Sequence, residues 1–265
     1  MKRTVLIVSC LAAVAGCSDP MQNRSAGGLK VASVQSSRTS TGDISEPAQG
    51  DFDEFEAESS QRSGMVPDPL EGWNRVMFQV NDKVYFWVLK PVAQAYQQIS
   101  PLPVRTGVRN FFHNLSTPVR FTGCFLQGKD DDAGREFGRF MVNTTWGILG
   151  VADPAKDRLG LEVSDDEDLG QVLGVYGAAN GFYIVWPLWG PSTLRDSVGL
   201  LGDLVLNPVS YLRRWDTYLA VSGVKVTNDA SLHLGDYESL KSAAIEPYTS
   251  FRDAYIQYRA KQIQE

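Results

Sequence analysis

Apolar residues recur every three to four positions along most of the chain after residue 64, which is the spacing of one helix face. The first such stretch, 68–90, opens with a capping aspartate, a proline at the first helical position and a glutamate soon after it. Because proline disfavours helical geometry in the residue before it, we expect this helix to end near Lys90, before Pro91. Its apolar face comprises Leu70, Trp73, Met77, Val80, Val84, Trp87 and Val88.

The same periodicity, punctuated by prolines, predicts further helices downstream. No segment alternates convincingly between apolar and polar residues, and no tandem repeat is present, so no strand is predicted. The predicted fold class is therefore all-α, with many short to medium helices in a single domain over residues 65–265. The further helices are placed at 91–99, 103–115, from 117 onward, 131–148, 166–176, 192–206, 208–221 and 246–262.

The segment 169–194 contains no charged residue over 26 positions, a length that could cross a membrane. Frequent glycines and prolines exclude one straight helix. Two interpretations remain open: a hairpin buried in a globular core, or a hairpin dipped into lipid, with Trp186 and Trp189 as interfacial anchors. The turn 177–181 is a candidate flexible tip.

The first 17 residues have the pattern of an export signal. Met1-Lys2-Arg3 is basic, 4–15 is uncharged and largely apolar, and Gly16-Cys17 resembles a cleavage site followed by an acylated cysteine. The apolar run is shorter than the roughly 20 residues of a membrane-spanning helix. We therefore predict a signal peptide over 1–16 and a lipid anchor at Cys17, the alternative being an ordinary signal peptide with a chance cysteine.

Residues 17–64 are rich in Ser, Gly, Gln, Asp and Glu and poor in large apolar residues. Such a composition cannot offset the entropy cost of folding, so a disordered tether is expected here. A flexible chain of this length has a root-mean-square reach of about 35 to 40 Å.

Charge and chemistry exclude several functional classes. The net charge of −6 gives no basic surface for nucleic acid, and any membrane contact must be apolar. Only two histidines are present, neither in a metal-ligand pattern, and no nucleophile elbow or phosphate loop occurs. Cys124 is interpreted as a small core residue, and the acidic run 165–168 as a helix N-terminus rather than a cation site. No catalytic residue, metal or cofactor is predicted.

Several motifs together resemble the MlaA (VacJ) family of outer-membrane phospholipid-removal lipoproteins. The match begins with Asp68-Pro69-Leu70-Glu71-Gly72-Trp73-Asn74-Arg75. It continues through Leu173-Gly174-Val175-Tyr176-Gly177, Gly181-Phe182-Tyr183 and Leu194-Arg195-Asp196, and closes with Glu246-Pro247-Tyr248 and Arg259. The resemblance covers nearly all of the chain after the predicted tether.

The resemblance implies a ring of helices around an amphipathic channel, lying in the inner leaflet of the outer membrane. Phospholipids misplaced in the outer leaflet would pass through the channel to a periplasmic carrier, MlaC, with trimeric porins as neighbours. No covalent chemistry is implied, and phospholipid is the transported ligand. The alternatives are a structural lipoprotein that scaffolds an outer-membrane complex without conducting lipid, and a lipid-modifying enzyme, against which the missing nucleophile and base argue.

The resemblance also assigns candidate functional positions. A channel-side hairpin would include Gly174, Tyr176, Gly177, Gly181 and Tyr183, with Gly177 and Gly181 as hinges. Ala179 stands where another glycine is expected, and alanine restricts the backbone there more than glycine would. Asn81 and Asp82 match a helix where changes are thought to open the channel.

Overall fold

The computed structural model describes residues 66–163 and 166–264. The signal peptide, Cys17, the tether and Asp165 lie outside these residues. The described part is predominantly helical, which confirms the predicted fold class. The helices are α1 (Glu71–Val84), α2 (Lys90–Ile99), α3 (Leu102–Leu115), α4 (Thr117–Leu126), α5 (Asp130–Thr145), α6 (Pro154–Leu159), α7 (Leu169–Val175), α8 (Leu194–Leu206), α9 (Trp215–Leu232), α10 (Asp236–Ala243) and α11 (Pro247–Gln264).

The first helix does not end before Pro91, and that expectation was wrong. A π-helical turn, Tyr85–Leu89, joins α1 to α2, and the N–H of Lys90 donates to the carbonyl of Tyr85 five residues earlier. In a regular helix, a proline ring clashes with the carbonyl four residues before it. The wider π turn accommodates the ring, so the helical path continues to Ile99.

A two-stranded antiparallel hairpin also departs from the prediction, which contained no strand. Strand β1 (Tyr183–Trp186) pairs with β2 (Gly190–Thr193), and Trp186 lies opposite Gly190. The three-residue loop between them places Leu188 at φ 69°. Strand β1 shows no apolar–polar alternation, since all four of its residues are apolar or aromatic and none is exposed. Its run of β-branched and aromatic residues was the sequence signal that could have predicted a strand.

Several helical boundaries and elements also differ from the predictions. The helix expected at 208–221 is instead a 3₁₀ turn, Pro208–Tyr211, followed by a break and then α9, which runs eleven residues past 221. Helices α6 and α10 were not predicted. Helix α7 begins at Leu169, where the side chain of Asp168 accepts a hydrogen bond from the N–H of Gln171 (2.8 Å).

Two asparagines of α1, seven residues apart on one helix face, hold the hairpin. Asn74 donates to the carbonyl of Tyr183 (3.1 Å) and accepts from the N–H of Val185 (2.7 Å). Asn81 donates to the carbonyl of Trp186 (3.0 Å) and accepts from the N–H of Leu188 (2.6 Å). The two amides thus pair with the β1 edge and the turn, much as a neighbouring strand would. Segment 183–193 is thus a hairpin whose backbone polar groups are satisfied by a helix of the same protein, an arrangement that both interpretations of the uncharged segment allow.

Helices α7 and α8 meet in backbone contact. A Cβ on Gly199 would lie 2.2 Å from the backbone nitrogen of Gly170, so neither position has room for a side chain. Gly174, by contrast, packs against the side chain of Ile263. The close approach brings the N-terminus of α7 beside α8 and α11.

Two small clusters of buried apolar residues lie in the described part of the chain. One joins the hairpin to α11, and the other joins the π turn and α2 to α9. The first contains Val66, Tyr183, Val185, Tyr248 and Ile256, and the second contains Tyr85, Leu89, Ala93, Val226 and Ala230. Among the described residues, no helix combines the length and apolar character needed to cross a bilayer.

The amide contacts predict a large stability loss for Asn74→Ala. The side chain is fully buried, and its removal leaves a buried carbonyl and a buried N–H without partners. At about 1 to 3 kcal/mol for each unsatisfied group, we expect a loss of ~2 to 5 kcal/mol. Chemical unfolding of the purified protein in detergent measures it. Gln79→Ala, an exposed position on the same helix, should cost less than about 0.5 kcal/mol. Equal losses in the two variants would contradict the amide clamp, that is, the holding of the hairpin by Asn74 and Asn81.

Candidate functional site

Many large apolar side chains of the described residues are exposed, while many charged and polar side chains are buried. Helix α8 shows this most clearly, because Leu194, Val198, Leu201 and Val205 form one stripe at helical spacing and are 46%, 52%, 65% and 64% exposed. Soluble proteins rarely expose a contiguous apolar patch of this kind without a partner surface. Other exposed large apolar residues include Trp73, Val76, Trp87, Val88, Val92, Ile99, Phe137, Trp146, Ile148 and Leu149.

The opposite face of α8 buries charged side chains. Arg195 and Asp196, which follow directly on the first residue of the stripe, are 7% and 9% exposed. Arg259 of α11 donates to both carboxylate oxygens of Asp196 (3.0 and 3.2 Å) and, through its two terminal nitrogens, to Asp168 (2.8 and 2.9 Å). The hydroxyl of Tyr255 also donates to Asp196 (2.8 Å). This network joins the N-terminus of α7 to α8 and α11.

The network fixes the charge of its members. Burial alone would raise the pKa of Asp196, but Arg259, Arg195 and the Tyr255 hydroxyl together lower it to about 2. Asp203, about two turns further along α8, lacks such partners: burial and the neighbouring carboxylate of Asp168 raise its pKa to about 7. Asp203 accepts the backbone N–H of Leu169 (3.1 Å). Two carboxylates on one helix therefore have widely separated pKa values.

A second buried network lies around α4 and α5. Arg120 pairs with Glu136 at 2.9 Å, and both side chains are at most 5% exposed. Arg139 pairs with Asp153 at 2.7 Å, and Asn143 donates to the same carboxylate at 2.8 Å. Burial would raise the pKa of Asp153, but these partners hold it below its usual value. The interior of this region is thus polar and internally paired.

The motif at 68–75, with which the family resemblance begins, connects the start of the helical domain to its end. Asp68 accepts hydrogen bonds from Asn74 (2.7 Å) and from the hydroxyl of Tyr248. Arg75 bridges Glu71 and Glu246, each at 2.7 Å, and its guanidinium lies over the ring of Tyr248. Pro69 lies exposed just before α1. These motif residues therefore link α1 to α11, and their role in the structure is architectural.

The candidate hinge residues fall into two groups. Gly177 (φ 86°) and Gly181 (φ 71°) bracket the connection from α7 to β1, and a Cβ at Gly177 would meet no atom within 4 Å. Tyr176 is exposed and donates to the carbonyl of Leu126 (2.7 Å). A Cβ at Gly181 would lie 2.8 Å from the Cβ of Leu194, and Gly174 and Tyr183 also lie in packed surroundings. Of the candidate hinge glycines, Gly177 is therefore the one with open space around it.

The two candidate gating residues attach α1 to different neighbours. Asn81 binds the hairpin loop, as described above. The carboxylate of Asp82 accepts from the hydroxyl of Tyr237 (2.9 Å) and from the ammonium of Lys241 (2.5 Å), both on α10. Sequence reasoning placed both residues on the helix but could not find these contacts, because the partners are more than 100 positions away.

Cys124 is fully buried, and burial raises the pKa of its thiol to about 11, which confirms the interpretation of a core residue. Within 66–163 and 166–264, no group of three or more His, Cys, Asp or Glu side chains could hold a metal ion. An open apolar groove of about 520 Å³ is lined by Val104, Val108, Phe111, Phe112, Val151 and Val224. The features that remain for function are the exposed apolar surface, this groove and the polar interior.

Comparison with known proteins points to one family. The family described as MlaA lipoprotein matches residues 66–262. Proteins of Haemophilus influenzae and Escherichia coli K12, each named intermembrane phospholipid transport system lipoprotein MlaA, are 32% identical over 192 residues and 33% identical over 195 residues. Each match covers 72% of this chain and 76% of the relative. A solved structure concerning maintenance of bacterial outer membrane lipid asymmetry matches with a TM-score of 0.66 and 34% identity, over 74% of this chain and 99% of that chain.

The raised pKa of Asp203 predicts a pH-dependent stability. Between about pH 4 and 7 the folded protein retains a proton that the unfolded chain has lost, so this carboxyl lowers the free energy of unfolding as the pH rises. Asp203→Asn should therefore gain stability over wild type across this window, by up to ~4 kcal/mol above pH 7. Asp216→Asn is the control: its exposed carboxyl has a lowered pKa, so its effect should be small and opposite in sign. A variant that parallels wild type at every pH would contradict the assignment.

Proposed function

The chain belongs to the MlaA lipoprotein family, and on that premise we propose that it removes misplaced phospholipid from the outer leaflet of the outer membrane. The relatives named above take part in intermembrane phospholipid transport, and the matching solved structure concerns outer membrane lipid asymmetry. In this proposal the protein conducts lipid and makes or breaks no covalent bond.

The observation that carries the proposal is the exposed apolar stripe of α8 backed by buried, paired charges. A side chain such as Leu201 gains about 2 kcal/mol from leaving water, so acyl tails are a favourable environment for the stripe. A phospholipid needs the same combination, because its tails must stay in an apolar phase while its head keeps polar contacts. Stranding the head in hydrocarbon would cost several kcal/mol.

We further propose that the helices surround an amphipathic channel through which the lipid leaves the membrane. Cys17 would carry the acyl chains that hold the protein at the inner leaflet, a trimeric porin would lie beside it, and a periplasmic carrier of the MlaC type would receive the lipid. Lipid leaving the wrong leaflet moves down its free-energy gradient, so the channel itself requires no nucleotide.

The proposed gate consists of the two attachments of α1 and the 177–181 connection. Asn81 fixes the hairpin loop and Asp82 fixes α10, so loss of either contact would free one boundary of the lipid path. Gly177 supports a hinge at the other boundary because it has a left-handed backbone and open space around it.

Deletion of the gene in its native host tests transport directly. We expect phospholipid at the cell surface, assayed by its accessibility to an added phospholipase, to increase several-fold and to return to the wild-type level on complementation. Porin abundance must be unchanged in the deleted strain. Unchanged surface phospholipid with intact porins would contradict transport and favour a scaffolding role.

Leu201→Lys tests whether the α8 stripe lies in lipid. The comparison is made in a Cys17→Ala background, so that no acyl anchor masks the contribution of the stripe. A lysine in hydrocarbon costs about 2.5 to 3.5 kcal/mol. The partition constant of Leu201→Lys between water and phospholipid vesicles, measured by flotation, should therefore be lower than that of the parent by a factor of at least about ten. Gln257→Lys adds the same charge at an exposed polar position of α11 and should partition like the parent; equal flotation of both variants would refute lipid contact by the stripe.

A further inference from the structure

Helix α3 has an apolar face and a charged face. The apolar face carries Val104, Val108 and Phe111, which line the apolar groove, and the charged face carries two arginines and a histidine. Arg105, Arg109 and His113 follow one another at intervals of four residues, and the latter two lie about half a turn around the helix from the apolar face. Arg109 is exposed although it lies away from the groove, so both faces of this helix are accessible.

Helix α9 packs antiparallel to α3 and adds a further cation. Arg105 donates to the carbonyl of Ser231 (2.8 Å), and Asn228 donates to the carbonyl of Arg105 (3.0 Å). This register brings the preceding turns of α9 toward the middle of α3. Lys225 and Asp229 lie there, one helical turn apart on a shared face.

Two of the donor atoms on the charged face of α3 lack an acceptor. Nε of Arg105 and Nε2 of His113 are both buried and make no hydrogen bond. Arg120, whose guanidinium can only donate, approaches Nδ1 of His113 at 3.2 Å, so Nδ1 must be the acceptor. The ring proton of a neutral His113 is therefore on Nε2, an unsatisfied donor.

Two further cations belong to this region, the exposed Arg109 and the half-buried Lys225. Within the described residues, neither forms an ion pair within 4 Å, although Asp229 lies one helical turn beyond Lys225. The four-residue spacing puts Arg109 one helical turn before His113 on α3, and Lys225 one turn before Asp229 on α9. In agreement with this placement, burial, Arg120, Arg139 and then both cations lower the pKa of His113, and both cations oppose the burial that raises the pKa of Asp229. Unpaired cations beside an unsatisfied donor form an environment that favours an anion.

We propose that Arg109, Lys225 and the Nε2–H of His113 bind the phosphodiester of a phospholipid headgroup. This inference rests on the proposed function and identifies a binding site within it. The acidic neighbours select among phosphates: Asp229 lies beside the cations, and Asp166 has an oxygen 4.0 Å from Nε2 of His113, beyond hydrogen-bond distance. These carboxylates repel a second negative charge, so a singly charged diester is favoured over a doubly charged free phosphate.

Titration calorimetry of the full-length acylated protein in a non-ionic detergent tests the site with three probes. The probes are dihexanoylphosphatidylglycerol, dihexanoylglycerol, which lacks the phosphate, and inorganic phosphate. Arg109→Gln and Lys225→Gln should each weaken binding of the phospholipid about tenfold, the value for one charged hydrogen bond, and leave dihexanoylglycerol binding unchanged. Arg213→Gln, which removes an exposed positive charge elsewhere, should bind like wild type.

Three results would overturn the proposal. They are phospholipid binding by Arg109→Gln and Lys225→Gln within twofold of wild type, wild-type binding of inorganic phosphate as tight as that of the phospholipid, and wild-type binding of none of the probes. Neither cation makes a buried contact, so both variants should fold. Thermal unfolding midpoints equal to that of wild type check this. The deletion assay fails separately if transport is wrong, whereas loss of this site alone leaves the surface-phospholipid phenotype of the deleted strain in place.

Discussion

Buried charge that must be paired is the constraint on which this structure depends. The outer surface is rich in large apolar side chains, while the interior holds Arg120, Glu136, Arg195, Asp196 and Arg259, all less than 10% exposed. Removing one member of a buried pair typically costs about 3 to 5 kcal/mol, because the remaining charge has neither water nor a partner. Arg259 pairs with the buried Asp196 and with the partly exposed Asp168 at once, and it thereby connects α7, α8 and α11. The apolar stripe of α8 can face outward because its charged face is satisfied inward.

The same principle organises the junction between α1 and the hairpin. A two-stranded hairpin is marginal alone, and here Asn74 and Asn81 supply the hydrogen bonds that a third strand would provide. Helix α1 also reaches α10 through Asp82 and α11 through Arg75. A change at Asn81 or Asp82 would therefore act on distant segments, which gives the candidate gating positions a structural basis. Specific polar contacts thus hold much of the described interior, beside two small apolar clusters.

The sequence was sufficient for the helical class and for much of the helical pattern, because periodicity and capping residues are local signals. Pro91 was wrongly predicted to end the first helix, because the π turn before it leaves room for the proline ring. The hairpin was missed because Tyr183–Trp186 shows no alternation between apolar and polar residues. Resemblance identified the motif residues Asp68, Asn74, Arg195 and Asp196, but their hydrogen bonds join residues up to 180 positions apart. The amide clamp, the raised pKa of Asp203 and the unpaired donors beside Arg109 depend on such long-range neighbours, so no local pattern could reveal them.

The central claim is that the apolar stripe of α8 faces acyl chains while polar positions of the same molecule face water. Spin-label accessibility in phospholipid bilayers measures this directly, with a label at Leu201→Cys compared with one at Gln257→Cys; the native thiol of Cys124 is buried. Oxygen concentrates in hydrocarbon and a charged nickel chelate stays in water. The account predicts that oxygen relaxes the label at 201 more strongly than the chelate does, with the reverse at 257. A label at 201 that the chelate reaches as readily as it reaches 257 would contradict the account.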